Sequence, residues 1–301
     1  MIDLVYSLRA LSPVHCGVGQ GLKDIDLPTA RNVVSGHPMI PSSSLKGVLK
    51  QEFLGKGSEN DEWTLKVKSL FGSEADESKD YASAISIGDA HLLALPVRSY
   101  FGTFAYLASP HTLNLLKTLH QRSGGAEELP EVPESPTGQV GLTALTLLHH
   151  QGKVLLEEFD LEVHEESQPV VDAWAEVIAN RFFEDAVGQR LFKQRFAIVE
   201  DDVFNFICES GLPVDAHIAI DQETGTVKTG ALWYEETVPA ETLFAGVVGV
   251  DRSYHSDFKV DARTMCDLLT ASNPIHCQVG GKSTTGKGFV KIQFPTVEAE
   301  S

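Results

Sequence analysis

Gly280-Gly281-Lys282-Ser283-Thr284-Thr285-Gly286-Lys287-Gly288, running into Phe289-Val290-Lys291-Ile292-Gln293-Phe294, is the stretch on which the reading of the fold turns. Gly281 to Lys287 spells G-x-x-x-x-G-K, the start of a nucleotide-binding phosphate loop, but that motif needs a metal-binding Ser or Thr next and then a helix. Here Gly288 comes next, and residues 289–294 alternate apolar and polar as a strand does. No helix N-terminus is therefore expected to face the loop, and a nucleoside triphosphate site is disfavoured. What remains is a cradle between two strands, suited to a phosphate backbone. Gly280, Gly281, Gly286 and Gly288 let the chain turn sharply and present N–H groups, while Lys282, Lys287, Thr284 and the neighbouring hydroxyls add donors without bulk.

Outward from that loop, a strand over 243–250, a helix over 262–272 and a strand over 275–279 precede it, so the C-terminal part reads β-α-β. The first ninety residues repeat the order. A strand over 4–11 ends at Ser12-Pro13, Pro41-Ser42-Ser43-Ser44 opens a serine-capped helix from Leu45 to about Leu54, and residues 84–90 alternate as a strand that His91 to Pro96 is expected to leave. Two such halves predict an α+β chain built on a ferredoxin-like or RNA-recognition-type sheet carrying large insertions. Among the insertions, residues 55–80 are polar, residues 121–138 read as a poorly ordered loop, and helices are expected over 113–120 and 170–183. Residues 213–243 contain two arms around the turn near Gly225 and predict a projecting hairpin.

A net charge of −18 argues against a protein that coats nucleic acid indiscriminately. The charge is uneven, however. Residues 1–56 carry six Lys/Arg against four Asp/Glu, residues 272–294 carry three lysines and no acid, and residues 121–170 hold ten acids against two bases. Positive potential is thus concentrated at both ends of the chain. No stretch is long enough to span a membrane, and Met1 to Arg9 alternates like a strand without the basic and apolar segments of a signal peptide, so the cytosol is the expected compartment. Cys16, Cys208, Cys266 and Cys277 lack zinc-site spacing and are expected as small core residues.

Two further stretches carry chemistry. If Asp24-Ile25-Asp26 is extended, its two carboxylates share a face, which suits a divalent cation or a basic partner. Ser43 and Ser44 at a helix start, with Lys46 and Lys50 four residues apart and Gly47 between them, form a second candidate phosphate surface.

Taken together, Leu11-Ser12-Pro13-Val14-His15-Cys16-Gly17-Val18-Gly19, Asp26-Leu27-Pro28, Pro41 to Lys50, Gly88 to Ser99, Gly102 to Pro110, Glu223 to Glu236 and the 280–288 loop resemble the repeat-associated mysterious protein (RAMP) superfamily of CRISPR systems. Within it the chain is most similar to the backbone subunits of Cmr-type, type III-B effector complexes. The resemblance implies a palm from 1–56, 82–98 and 243–296, helical and loop insertions at 57–81 and 99–212, and a thumb hairpin at about 213–242. It implies copies stacked head-to-tail on a guide crRNA beside other Cmr-type subunits, with the thumb kinking the guide–target RNA duplex at regular intervals. A target nucleotide splayed in this way reaches the in-line geometry in which its 2′-hydroxyl attacks the adjacent phosphate. The acid matching Asp26 carries a cut that depends on a divalent cation (Mg or Mn), either as metal ligand or as base, with His15 close by and Glu235 or Glu236 approaching from a neighbouring copy. Asp24 departs from the family pattern and would share that metal or compete for it. Because the superfamily also holds members that only bind RNA, a non-cleaving scaffold subunit is the alternative.

Overall fold

The computed structural model describes residues 1–19, 21, 25–57, 61–73, 81–125 and 128–295. Strand β1 (Ile2–Ala10) lies inside a sheet because both of its faces are apolar: Leu4, Tyr6, Leu8 and Ala10 enter one core and Val5 the other. The short β2 (Met39–Ile40) follows, then helix α1 (Ser42–Lys56), which buries Leu45, Leu49 and Phe53 at helical spacing. Helix α2 (Asp61–Phe71) packs on α1. Its Trp63 ring stacks on Phe53, its indole N–H donates to the Phe53 carbonyl, and Val67, Leu70 and Phe71 are buried. The polar insertion expected over 55–80 is thus partly a core helix; its apolar residues are few but fall on one face.

Strands β3 (Ile85–Ile87) and β4 (Ala90–Arg98) come next. The strand expectation failed at its end, since β4 runs through Pro96. Its pairing with β13 (Leu243–Val250) stops at Ala94, so the N–H that Pro96 lacks is not needed there. Beyond β4 lie β5 (Phe104–Ala108), helix α3 (Pro110–Arg122), β6 (Gln139–Leu142), β7 (His149–His150), β8 (Lys153–Leu156) and β9 (Phe159–Val163). Helices α4 (Gln168–Phe182) and α5 (Ala186–Lys193), strand β10 (Phe196–Val199) and helix α6 (Asp201–Ser210) complete the middle of the chain. The described part of the 121–138 loop is seated on α4: Leu129 is buried, and the Trp174 indole N–H donates 2.8 Å to the Glu131 carbonyl.

Strands β11 (Val214–Ile220) and β12 (Val227–Glu236) form their own two-stranded ribbon. After β13 come helix α7 (Ala262–Thr270), β14 (Ile275–Gln278) and β15 (Phe289–Gln293). Among the described residues thirteen strands join in one sheet, in which β14, β15, β1, β13 and β4 are consecutive neighbours and β3 also pairs with β13. All of these pairs are antiparallel. Every residue of β13 is buried, as a central strand covered on both faces requires. One core holds α1, α2 and α7 against the sheet, and the other holds α3, α4 and α5 around Trp174. Both halves of this mixed α+β arrangement send their loops toward the base of the ribbon.

Candidate nucleic-acid interface

The chain between β1 and α1 crosses the ribbon base in three short bridges. Val14 pairs with Val238, Gly17 with Thr29, and Leu27 runs parallel to Glu235. The same segment holds the glycine-rich loop, since the Gly281 N–H donates 2.9 Å to the His15 carbonyl and the Gly288 N–H donates 2.7 Å to that of Pro13. The residues quoted above from three distant parts of the chain therefore meet at one place.

Asp26 is exposed, and its Oδ2 accepts the Tyr234 N–H at 2.8 Å, which fixes the carboxylate against β12. It lines a cleft of about 400 Å³ with Gly21, Leu27, Trp233 and Lys282. The Trp233 ring is itself stacked on His217 across the ribbon, with centroids 5.4 Å apart. Asp24 lies outside the described residues, and among those described no group of three or more His, Cys, Asp or Glu is placed to hold a metal. His15 is buried and does not line the cleft. Its Nδ1 lies 2.8 Å from the Glu236 carbonyl, an acceptor only, so Nδ1 carries the hydrogen and Nε2, above Gly17, is the basic nitrogen.

Glu235 and Glu236 point in opposite directions because adjacent strand residues do. Glu236 is committed inside the chain: Oε1 lies 2.6 Å from Arg31 Nη2 and Oε2 accepts the Thr29 N–H at 3.0 Å. Arg31 also donates to the carbonyls of Gly36 and Cys208, tying three elements together. Glu236, expected as a catalytic residue, is thus buried, paired with Arg31 and the Thr29 N–H, and does not line the cleft beside Asp26. Glu235 faces the glycine-rich loop. Its Oε1 is 2.7 Å from Lys287 Nζ and its Oε2 is 3.0 Å from Lys282 Nζ. Burial pushes the Glu235 carboxyl up, but hydrogen bonds and charge from the two lysines outweigh this and hold it low. Lys287 also reaches Asp215 at 3.0 Å and is raised by the two carboxylates against the effect of its burial.

Within the loop, Lys287 is paired with two carboxylates, and the amides of Gly281, Thr285, Gly286 and Gly288 all donate within the chain. Ser283 to Thr285 form a single 3₁₀ turn, and β15 follows rather than a helix. Gly288 is buried at φ +85°, where a Cβ would sit 2.2 Å from the Val279 carbonyl oxygen, so its role is the turn and not RNA contact. Gly280, at φ +83°, lies as close to the His15 carbonyl. Gly288→Ala should accordingly lower unfolding stability by about 1–3 kcal/mol, the usual cost of a strained backbone position, read as a shift in denaturant midpoint; an unchanged midpoint would show that the turn relaxes freely.

At α1 the serines do not cap. Pro41 occupies the cap position without a side-chain bond, and the Ser42 N–H donates 2.7 Å to Asp89 Oδ1. A carboxylate of the chain thus already sits at the helix start where a phosphate was expected. Ser43 and Gly47 remain exposed, Ser44, Lys46 and Lys50 are half-buried, and a Cβ on Gly47 would meet nothing. Burial, with a smaller contribution from the neighbouring charge of Lys50, holds the Lys46 amine below its ordinary pKa. Arg31, Asp89, Asp215 and Trp233 were invisible as site residues in the sequence. Only the alternation of 235 and 236 could have separated the two acids beforehand.

The fold defines a mixed α+β class of protein: a family model for the RAMP superfamily matches residues 7–291, and the chain belongs to that superfamily. It is 34% identical over 293 residues, 96% of this chain and 95% of the relative, to the CRISPR system Cmr endoribonuclease Cmr4 of Pyrococcus furiosus. It is 25% identical over 320 residues, again 96% and 95%, to the CMR subunit Cmr4 of Saccharolobus solfataricus. Oligomeric Cmr4 from Pyrococcus furiosus superposes with a TM-score of 0.74 at 28% identity, covering 98% of each chain. Among the described residues no helix is long and apolar enough to cross a membrane.

Proposed function

We propose that this chain is a guide-RNA-binding backbone subunit of a type III-B CRISPR ribonucleoprotein, and the subunit that cuts complementary target RNA at regular intervals. The observation that carries the reading is the whole-length likeness to a Cmr endoribonuclease. The sheet around β1 and β13 serves as the palm, the middle helices as fingers and the β11–β12 ribbon as the thumb. Further copies of the chain stack head-to-tail along the crRNA, as the oligomeric relative suggests, and other Cmr-type subunits complete the complex. The guide backbone runs over Lys46 and Lys50 on α1 and the exposed hydroxyls of Ser283 and Thr284 in the glycine-rich loop.

Asp26 is the catalytic carboxylate. The Tyr234 N–H occupies one of its oxygens and leaves the other toward the cleft, where it takes the proton of the attacking 2′-hydroxyl. Where Mg²⁺ or Mn²⁺ is bound, Asp26 would hold it in place of taking the proton, a single carboxylate sharing the ion with water and phosphate oxygens. Bound there, such an ion would neutralise charge on the phosphate. His15 and Glu236 act from behind as supports of the segment that carries Asp26.

The test is an assembled complex carrying one guide, incubated with labelled complementary RNA. A ladder of cuts at constant spacing, abolished by a chelator, is expected with Mg²⁺ or Mn²⁺. Bound but intact target under all these conditions would make the chain a binding-only scaffold.

A further inference from the structure

We propose that Lys282 supplies the positive charge that stabilises the scissile phosphate during cutting, in the cleft that Asp26 also lines. The inference rests on the ribonuclease reading above and assigns it a second catalytic residue. The sequence offers two lysines in the glycine-rich loop as equals, and the structure separates them. The Lys287 side chain is 11% exposed and pinned between Asp215 and Glu235, whereas that of Lys282 is 37% exposed, has one ion-pair partner among the described residues and lines the cleft. Among the described residues lining that cleft, Lys282 alone is cationic.

The backbone points the same way. Lys282 sits at φ +65°, ψ +29°, a left-handed conformation that costs a side-chain-bearing residue about 1 kcal/mol or more. Glycine would hold this turn without strain, and glycines occupy the two preceding positions. The turn therefore does not account for a lysine here; its side chain does. The Lys282 carbonyl accepts from both the N–H and the hydroxyl of Thr285, so the strained residue is held in place, and Glu235 orients the ammonium.

In the step this serves, the 2′-oxygen forms a bond to phosphorus as Asp26 takes its proton, and the bond from phosphorus to the 5′-oxygen breaks. The leaving oxygen takes a proton from water, and the hydroxide so formed takes back the proton held on Asp26, giving a 2′,3′-cyclic phosphate and a 5′-hydroxyl with the carboxylate restored. Negative charge builds on the non-bridging oxygens in between. An ammonium lining the same cleft offsets that charge where it develops.

The experiment compares Lys282→Met, Lys282→Arg and Lys282→Gly in the assembled complex at saturating target, with guide and target retention measured alongside. Glycine fits the backbone, so that variant keeps the loop. Single-turnover cutting should fall about 10²–10³-fold in the Met and Gly variants, the usual loss for one preorganised donor. The Arg variant should keep most of the rate, and added ethylamine should restore part of it in Lys282→Gly, which a merely structural role would not allow. Unchanged cutting overturns the proposal, and so does loss of guide RNA in the Gly variant, which would make Lys282 a guide contact. If the unmodified complex fails to cut, the ribonuclease reading itself has failed, and the assignment of Lys282 falls with it.

Discussion

Asp26→Asn in the assembled complex is expected to retain guide and target RNA while cutting falls by about 10²–10⁴-fold, the range that a positioned proton acceptor contributes. The two effects separate because of how the carboxylate is held. Its Oδ2 accepts the Tyr234 N–H, and an asparagine carbonyl can accept the same bond, so the segment stays docked on β12. What the amide loses is the ability to take a proton or to hold a cation. Asp24→Asn measured side by side should show the smaller loss, and its result matters because Asp24 lies outside the described residues. Full activity in Asp26→Asn, with Asp24→Asn inactive, would move the chemistry two residues upstream.

Arg31→Met is expected to cost about 3–5 kcal/mol of unfolding free energy, toward the lower end because the Arg31 side chain is 24% exposed. The cost comes from stranding a charge: Glu236 is 4% exposed on its side chain and would keep only the Thr29 N–H. Glu236→Gln retains that hydrogen bond and discards the charge. The double variant should therefore be more stable than the sum of the two single losses, a coupling that denaturant titration of all four proteins measures. Additive losses would mean that the pair is held by its surroundings and not by each other.

The sheet was legible because its signals are local. β1, β13 and β15 alternate or run apolar over five residues or more, and the hairpin announces itself by a glycine turn between two arms. Its failures were local too: α2 hides its few apolar residues in a polar stretch, and Pro96 reads as a stop although nothing pairs with its nitrogen. The site was legible as a set of stretches and illegible as contacts. That Asp89 would take the Ser42 amide, or that Asp215 and Glu235 would consume Lys287, depends on pairs separated by 47 to 72 residues, for which no periodicity exists. Lysines and glycines looked like ligand-binding groups because the acids that neutralise them came from elsewhere.

The opposed directions of Glu235 and Glu236 make the ribbon base sensitive to parity. One residue inserted into β12 between Leu232 and Glu235 would exchange the two acids, turning Arg31 toward the wrong neighbour and leaving the loop lysines facing Glu236. The same insertion among Gln222 to Thr226 leaves both ends anchored, because residues 214–218 and 232–236 keep their pairing. Length variation among homologues should accordingly collect at the tip of the ribbon, and the tip is where an affinity tag or fluorophore can be introduced without disturbing the junction beneath it.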